Sequence, residues 1–277
     1  MRIAELLELD SIEPVEPFFS DLIYLEMDEV FLANNAKSGR ILVDEDENPA
    51  AFAIETDNTW KGCFTAYRQP STAILDLFEQ LDLDIYQEDR ELIEDCIREY
   101  YSNKLLQTTP PGADDLNPTR AQSIKDLIKQ TLGPVSRMHS LDCCCGTGVG
   151  SLIMEDLGLI PLAYDNDESL LSRGLSSKRL KPERTIWIDG RELGNYITRP
   201  YEFACGLMFG EIYSFNSDIW YDITTSICEA AERILITTGK KEEIKLIEDW
   251  ISDSGKSPEV FESDADPIYD RWICYAK

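Results

Sequence analysis

The sequence of 277 residues is short of several things, and each shortage removes a class of protein. It has no run of about eighteen apolar residues, so no segment reads as a bilayer-spanning helix. Histidine occurs once, at His139, and no C-x-x-C pair is present among the eight cysteines, so zinc-ribbon and zinc-finger spacings are absent. Basic residues are outnumbered, 26 against 53 acidic, for a net charge of −27. A field of that sign repels phosphate backbones and argues against a nucleic-acid partner. The first residues, Met1-Arg-Ile-Ala-Glu-Leu-Leu-Glu8, are too acidic for a secretory signal, and the expected location is the cytoplasm.

What is present is a globular composition, 43% hydrophobic with 10% aromatic residues, and a chain long enough for one large domain or two modest ones. The charge is uneven. Residues 1–115 hold 27 acidic and 8 basic residues, a charge of −19, whereas the remainder holds 26 and 18, a charge of −8. Such an acidic surface serves solubility in the first place; a cationic protein segment is the partner it would attract.

Within 1–115, apolar spacing predicts helices over 3–9, 18–32, 71–83 and 89–105, and a hairpin from 40–43 and 50–54 around Asp44-Glu-Asp-Glu-Asn-Pro49. This part reads as a mainly helical α+β region, a possible lid or acceptor-selecting domain. Gln107-Thr-Thr-Pro-Pro-Gly-Ala-Asp-Asp115 reads as a linker. Asn117-Pro118 then offers a helix cap and a first-turn proline, and Gly133-Pro134 a stop, so the second domain is expected to occupy 116–277.

From there β-prone runs at 138–143, 160–164, 185–188, 202–208 and 233–237 alternate with helical segments, the pattern of an α/β fold with a parallel sheet covered on both faces. Two further runs, Glu259–Glu262 and Arg271–Ala276, lie too close for a crossover helix and predict an antiparallel pair at the sheet edge.

Chemistry concentrates at Ser140-Leu-Asp-Cys-Cys-Cys-Gly-Thr-Gly-Val-Gly150, which reads as a strand end, a glycine turn and a helix start. Gly146 and Gly148 lack a Cβ, so their backbone can approach a ligand at the positive end of the following helix. The full dinucleotide fingerprint G-x-G-x-x-G is absent. Two carboxylates follow at strand ends: Asp165, 23 residues after Asp142, and Asp189, 24 residues further on. An acid about 20 residues past a glycine turn is placed to accept from ribose hydroxyls. Each aspartate alone is as readily a solvated strand end or a helix cap.

The stretch Leu141-Asp-Cys-Cys-Cys-Gly-Thr-Gly148 resembles the first motif of the class I S-adenosylmethionine-dependent methyltransferases, and Tyr164-Asp-Asn-Asp-Glu-Ser169 and Ile188-Asp-Gly-Arg-Glu-Leu193 resemble that family's second and third cofactor segments. The resemblance covers about 116–277 and implies a Rossmann-like, mostly parallel seven-stranded sheet with S-adenosylmethionine as cofactor. It implies that Asp142 lies near the methionine amino group, that Gly146, Thr147 and Gly148 form a backbone cradle, that Asp165 takes the ribose hydroxyls with Asn166 beside it, and that Asp189 accepts from the adenine amine with Gly190 adjacent. The chain departs from the family where Cys144 replaces a glycine; a positive φ there would cost about 1 kcal/mol.

Three consecutive cysteines suggest a metal site, but side chains leaving a strand alternate between faces, and no metal is expected. In place of the Asn/Asp-Pro-Pro-Tyr motif of base and glutamine methyltransferases stands Gly206-Leu-Met-Phe-Gly-Glu-Ile-Tyr213, whose Glu211 and Tyr213 are the candidate catalytic residues, able to orient an acceptor or take its proton. The acceptor, a small molecule or a protein, is not identified. A non-catalytic S-adenosylmethionine- or nucleotide-binding regulatory protein is the alternative, and a nicotinamide-dependent oxidoreductase a third reading.

Overall fold

A computed structural model describes residues 2–57, 59–263, 266 and 268–277. The chain forms two compact units, one ending at Lys104 and the other running from Leu105 to Lys277. The division therefore falls ahead of the expected 115/116 boundary, because the supposed linker is bonded into the second unit.

The first unit holds α1 (Arg2–Glu5), β1 (Glu13–Pro14), α2 (Glu26–Leu32), β2 (Gly39–Val43), β3 (Pro49–Glu55), β4 (Trp60–Phe64), α3 (Thr72–Phe78) and β5 (Leu83–Gln87), and most of α4 (Arg90–Thr108). The β2–β3 hairpin pairs antiparallel as the sequence predicts. It is the middle of a five-stranded sheet ordered β1-β4-β3-β2-β5, which stands beside the expected helices in this α+β region. Three of its strands were not expected; β1 has only two residues, and β4 and β5 were hidden for different reasons. In β4, Gly62 reads as a breaker but serves close packing: a Cβ there would come within 2.7 Å of Ile12 Cδ1. β5 is an edge strand with three of its five residues exposed, so it lacks a buried face to betray it. Phe31, Phe52, Ile54, Cys63, Ile74 and Phe78 form this unit's core.

The second unit opens with α5 (Pro118–Leu132), capped by the Asn117 side chain on the amides of Thr119 and Arg120. Next come β6 (His139–Cys143), α6 (Val149–Asp156), β7 (Ile160–Asp165), α7 (Glu168–Ser176), β8 (Thr185–Trp187), β9 (Tyr201–Gly206), α8 (Ser217–Ala230), β10 (Ala231–Thr238), α9 (Lys241–Asp253), β11 (Pro258–Glu262) and β12 (Trp272–Ala276). They build a Rossmann-like seven-stranded sheet ordered β11-β12-β10-β9-β6-β7-β8. Strands β6 to β10 run parallel, and β12 pairs antiparallel with both β10 and β11. On one face Ile124, Ile128, Val149, Ile153, Phe203 and Leu235 pack together; elsewhere Leu105, Ala163, Leu171, Leu175 and Leu180 do so. The chain winds outward from β6 to β8 and returns to β9 on the other side of β6, so strand order reverses between β6 and β9. A crevice at the C-terminal ends of the strands is the consequence. No helix among the described residues is long and apolar enough to cross a membrane.

Candidate functional site

That crevice is a cavity of about 420 Å³, within the usual range for small-molecule sites. Asp142, Cys144, Cys145, Gly146 and Gly150 line it from β6 and its turn, Tyr164, Asp165 and Asn166 from β7, and Gly190 from beyond β8. The loop after β9 and the start of α8 supply Leu207 to Gly210, Asn216, Ile219, Trp220 and Ile223.

The turn needs left-handed backbone at three positions: Cys144 (φ 52°), Gly146 (φ 54°) and Gly148 (φ 78°). A side chain at Gly146 would meet no protein atom within 4 Å and would project into open space, whereas one at Gly148 would strike Leu180 at 2.5 Å. Gly150 is required by the acid itself, since a Cβ there would lie 2.4 Å from Asp142 Oδ1. Cys144 thus occupies a conformation that suits glycine, at a cost of about 1–2 kcal/mol.

The backbone cradle differs from expectation. The Gly146 N–H donates to Asp165 Oδ2 (2.8 Å) and the Gly148 N–H to the Cys145 carbonyl (2.9 Å), so these amides close the turn rather than point at a ligand. Thr147 is buried and its hydroxyl donates to Asp115. The glycines contribute conformation and room.

Asp142 is 1% exposed and accepts from Ser151 Oγ at 2.7 Å. Burial pushes its carboxyl up to about 7, the neighbouring Asp165 charge adding to the rise and Ser151 opposing it. Asp165 accepts from the amides of Gly146 and Asp167, both at 2.8 Å, bonds that oppose the upward push of burial. Each of its oxygens keeps a second lone pair for a ligand. Burial among protein atoms, reinforced by these carboxylates, raises the Cys144 and Cys145 thiols, which stay protonated. The Tyr164 hydroxyl is buried against the Cys143 thiol.

Three expected residues stand elsewhere. Asp189 caps the turn after β8 through the Arg191 amide, and its carboxylate pairs with the Arg191 guanidinium at 2.6 Å, which holds its pKa down. It does not line the cavity, although Gly190 does. Glu211 and Tyr213 also lie outside the lining: the Glu211 carbonyl accepts from Asn216 Nδ2, and the Tyr213 ring stacks on Phe215. The cause is a tight loop in which Asn216 bonds back to both residues and turns their side chains outward.

Among the lining residues that the sequence does not single out, two are charged, Asp115 and Arg120. Residues 109–115 are a strap along α7. The Ser172 hydroxyl donates to the Thr109 carbonyl (2.7 Å), the Gly112 amide to the Ser169 carbonyl (2.8 Å), Arg173 Nε to the Gly112 carbonyl (2.7 Å) and Arg179 Nη1 to Asp114 (2.8 Å). Arg120, from α5, forks onto buried Asp270 through Nε (2.6 Å) and Nη2 (3.2 Å). The proline-glycine composition hid the strap; the acidic pair Asp114-Asp115 ahead of the helix cap was the only local trace.

No family model matches the chain, and no curated protein matches it. Among solved structures it is similar to a magnesium protoporphyrin IX methyltransferase (ChlM) from Synechocystis PCC 6803 with bound SAM, 13% identical over 66% of this chain and 96% of that one, at a TM-score of 0.45. It is similar also to an S-adenosylmethionine-dependent methyltransferase from Clostridium acetobutylicum (13% identity, 66% and 98% covered, TM-score 0.46) and to a TehB-like SAM-dependent methyltransferase from Corynebacterium glutamicum (17%, 66% and 98%, 0.43).

Proposed function

We propose that the second unit binds S-adenosylmethionine in this cavity and catalyses transfer of its methyl group to an acceptor entering beside the β9–α8 loop. One observation carries the reading: a buried acid, Asp142, and a second acid, Asp165, end adjacent strands around one cavity, at the reversal of strand order. The donor set suits the ligand. Asp142 faces the cavity as an acceptor for an ammonium group, Asp165 has lone pairs for two vicinal hydroxyls with Asn166 beside it, and the space at Gly146 and the backbone of Gly190 leave room for a nucleoside. When bound, the cofactor supplies a sulfonium methyl, an electrophile that needs positioning more than activation. Asp189, held by Arg191, takes no part in this reading.

Because an ammonium pairs with ionised Asp142, and that acid titrates at about 7 when the site is free, affinity should fall as pH drops through 7. Calorimetry with S-adenosylhomocysteine tests the reading. A dissociation constant of about 1–50 μM is expected, weakened at least about tenfold by Asp165→Ala. No binding, or an Asp165→Ala protein that binds like wild type, would remove it. Binding without methyl transfer to any component of a cell extract would favour the regulatory alternative.

A further inference from the structure

Three carboxylates line the cavity, and they stand at two depths. Asp142 and Asp165, the acids assigned to the cofactor, are 1% and 7% exposed. Asp115 has no part in holding the cofactor; it is exposed and therefore stands at the mouth. Its position is fixed by its neighbours. Arg179 holds the preceding Asp114 at 2.8 Å, the Gly112 amide and carbonyl are tied to α7, and the buried Thr147 hydroxyl donates to Asp115 Oδ1. Among the described residues nothing bonds Oδ2, which leaves one carboxylate oxygen free at the entrance.

Negative charge is in excess around that oxygen. The one cation in the lining, among the described residues, is Arg120, which forks onto buried Asp270 through Nε (2.6 Å) and Nη2 (3.2 Å) and has Asp266 3.9 Å away. Asp115, Asp266 and Asp270 against Arg120 leave a charge of −2. Glu211, exposed on the loop between Gly210 and Asn216, has the same sign, and Lys240 beside that loop is paired with Glu243 at 3.0 Å. A field of one sign in a concave site gathers ligands of the other sign and repels its own. On the side of β9 and α8 the mouth is apolar, with Met208 49% and Ile219 44% exposed.

We propose that the acceptor is a cationic amine on an apolar body, its ammonium group held by Asp115 and its body lying on Met208 and Ile219. The proposal rests on the cofactor reading above and names its substrate class. A fixed carboxylate oxygen makes a charge-assisted hydrogen bond with an ammonium N–H, a weaker one with an alcohol, and repels a carboxylate of the same shape. Methyl transfer needs the nitrogen lone pair, so the ammonium first gives one proton to the Asp115 carboxylate, which passes it to solvent at the mouth. The N–CH3 bond forms as the S–CH3 bond breaks, sulfur keeps the bonding pair, and the sulfonium's positive charge moves to nitrogen. One proton is released for each methyl group transferred.

Phenethylamine is the probe, with phenylethanol and phenylacetate as the same body carrying a neutral and an anionic head. Calorimetry on the full chain saturated with S-adenosylhomocysteine should show phenethylamine binding at least about tenfold tighter than phenylethanol, and phenylacetate weakest of the three. Asp115→Asn, whose amide oxygen still accepts from Thr147, should bring the amine and the alcohol to within about twofold of each other. Because the two affinities are compared within one protein, a general loosening of the cavity does not move their ratio. With S-adenosylmethionine, mass spectrometry should detect N-methylphenethylamine, formed at least about tenfold more slowly by Asp115→Asn. If S-adenosylhomocysteine binds but phenethylamine binds no tighter than phenylethanol, or if Asp115→Asn keeps the preference for the amine, the acceptor class is overturned and the cofactor reading stands. If S-adenosylhomocysteine fails to bind, both fall.

Discussion

Each unit buries a carboxyl group that burial drives up to about 7, Glu16 in the first and Asp142 in the second. Their surroundings differ. Glu16 sits in a closed polar cluster: its Oε1 accepts from the Phe64 amide at 2.9 Å and lies 3.8 Å from Arg68, which in turn holds Asp28 at 2.5 Å. Asp142 has the hydroxyl and amide of a single residue, Ser151, and a cavity. The same titration therefore marks a structural knot in one unit and a waiting site in the other; what separates them is whether the group opens onto space that a ligand can fill.

The comparison can be broken by substitution. Arg68→Met should have the largest effect, because it leaves two buried acids without their cation; a loss of about 3–5 kcal/mol is expected in urea unfolding of the first unit, with the cavity of the second unchanged. Gly150→Ala pushes a methyl against the Asp142 carboxylate, and we expect a loss of about 2–3 kcal/mol together with loss of S-adenosylhomocysteine binding.

Asp142→Asn should act in the opposite direction on stability. The folded pKa lies above the ordinary value of about 3.9, so between about pH 4 and 7 the folded chain keeps a proton the unfolded chain has lost. Asp142's contribution to stability is complete below about pH 4 and is lost as pH rises through about 7. At pH 8 the amide variant, which keeps an oxygen for Ser151, should be more stable by about 2 kcal/mol and bind S-adenosylhomocysteine at least about fiftyfold more weakly. A variant less stable than wild type at that pH would contradict the assignment of Asp142 as a strained functional acid. The smallest effect belongs to Cys144→Gly, which relieves a left-handed non-glycine residue: up to about 1 kcal/mol of added stability, with affinity changed less than about threefold.

Much of the second unit was legible because buried parallel strands leave continuous apolar runs, as at Ile160–Asp165, and because Asn117-Pro118 marks a helix start locally. Asp142 and Asp165 were legible for the same reason, being the polar ends of such runs. The strands of the first unit were less so: β4 hides behind a packing glycine and β5 behind an exposed edge. Glu211 and Tyr213 drew notice by their chemistry, but a side chain's direction in an irregular loop depends on Asn216 three to five residues on, a contact no periodicity encodes. Asp115 and Arg120 reach the cavity through partners 32 and 150 residues away, distances at which local pattern is silent.

The strap over 109–115 sets where the chain can be cut. A fragment starting at the helix cap Asn117 would keep every strand of the seven-stranded sheet and both cradle acids, yet it would discard Asp115 and with it one side of the cavity. It would also strip Arg179 and Thr147 of their carboxylates. Deletion mapping that trusts the proline-glycine run as a tether would therefore return a fragment whose cavity lacks Asp115 and would assign the resulting change to the first 115 residues.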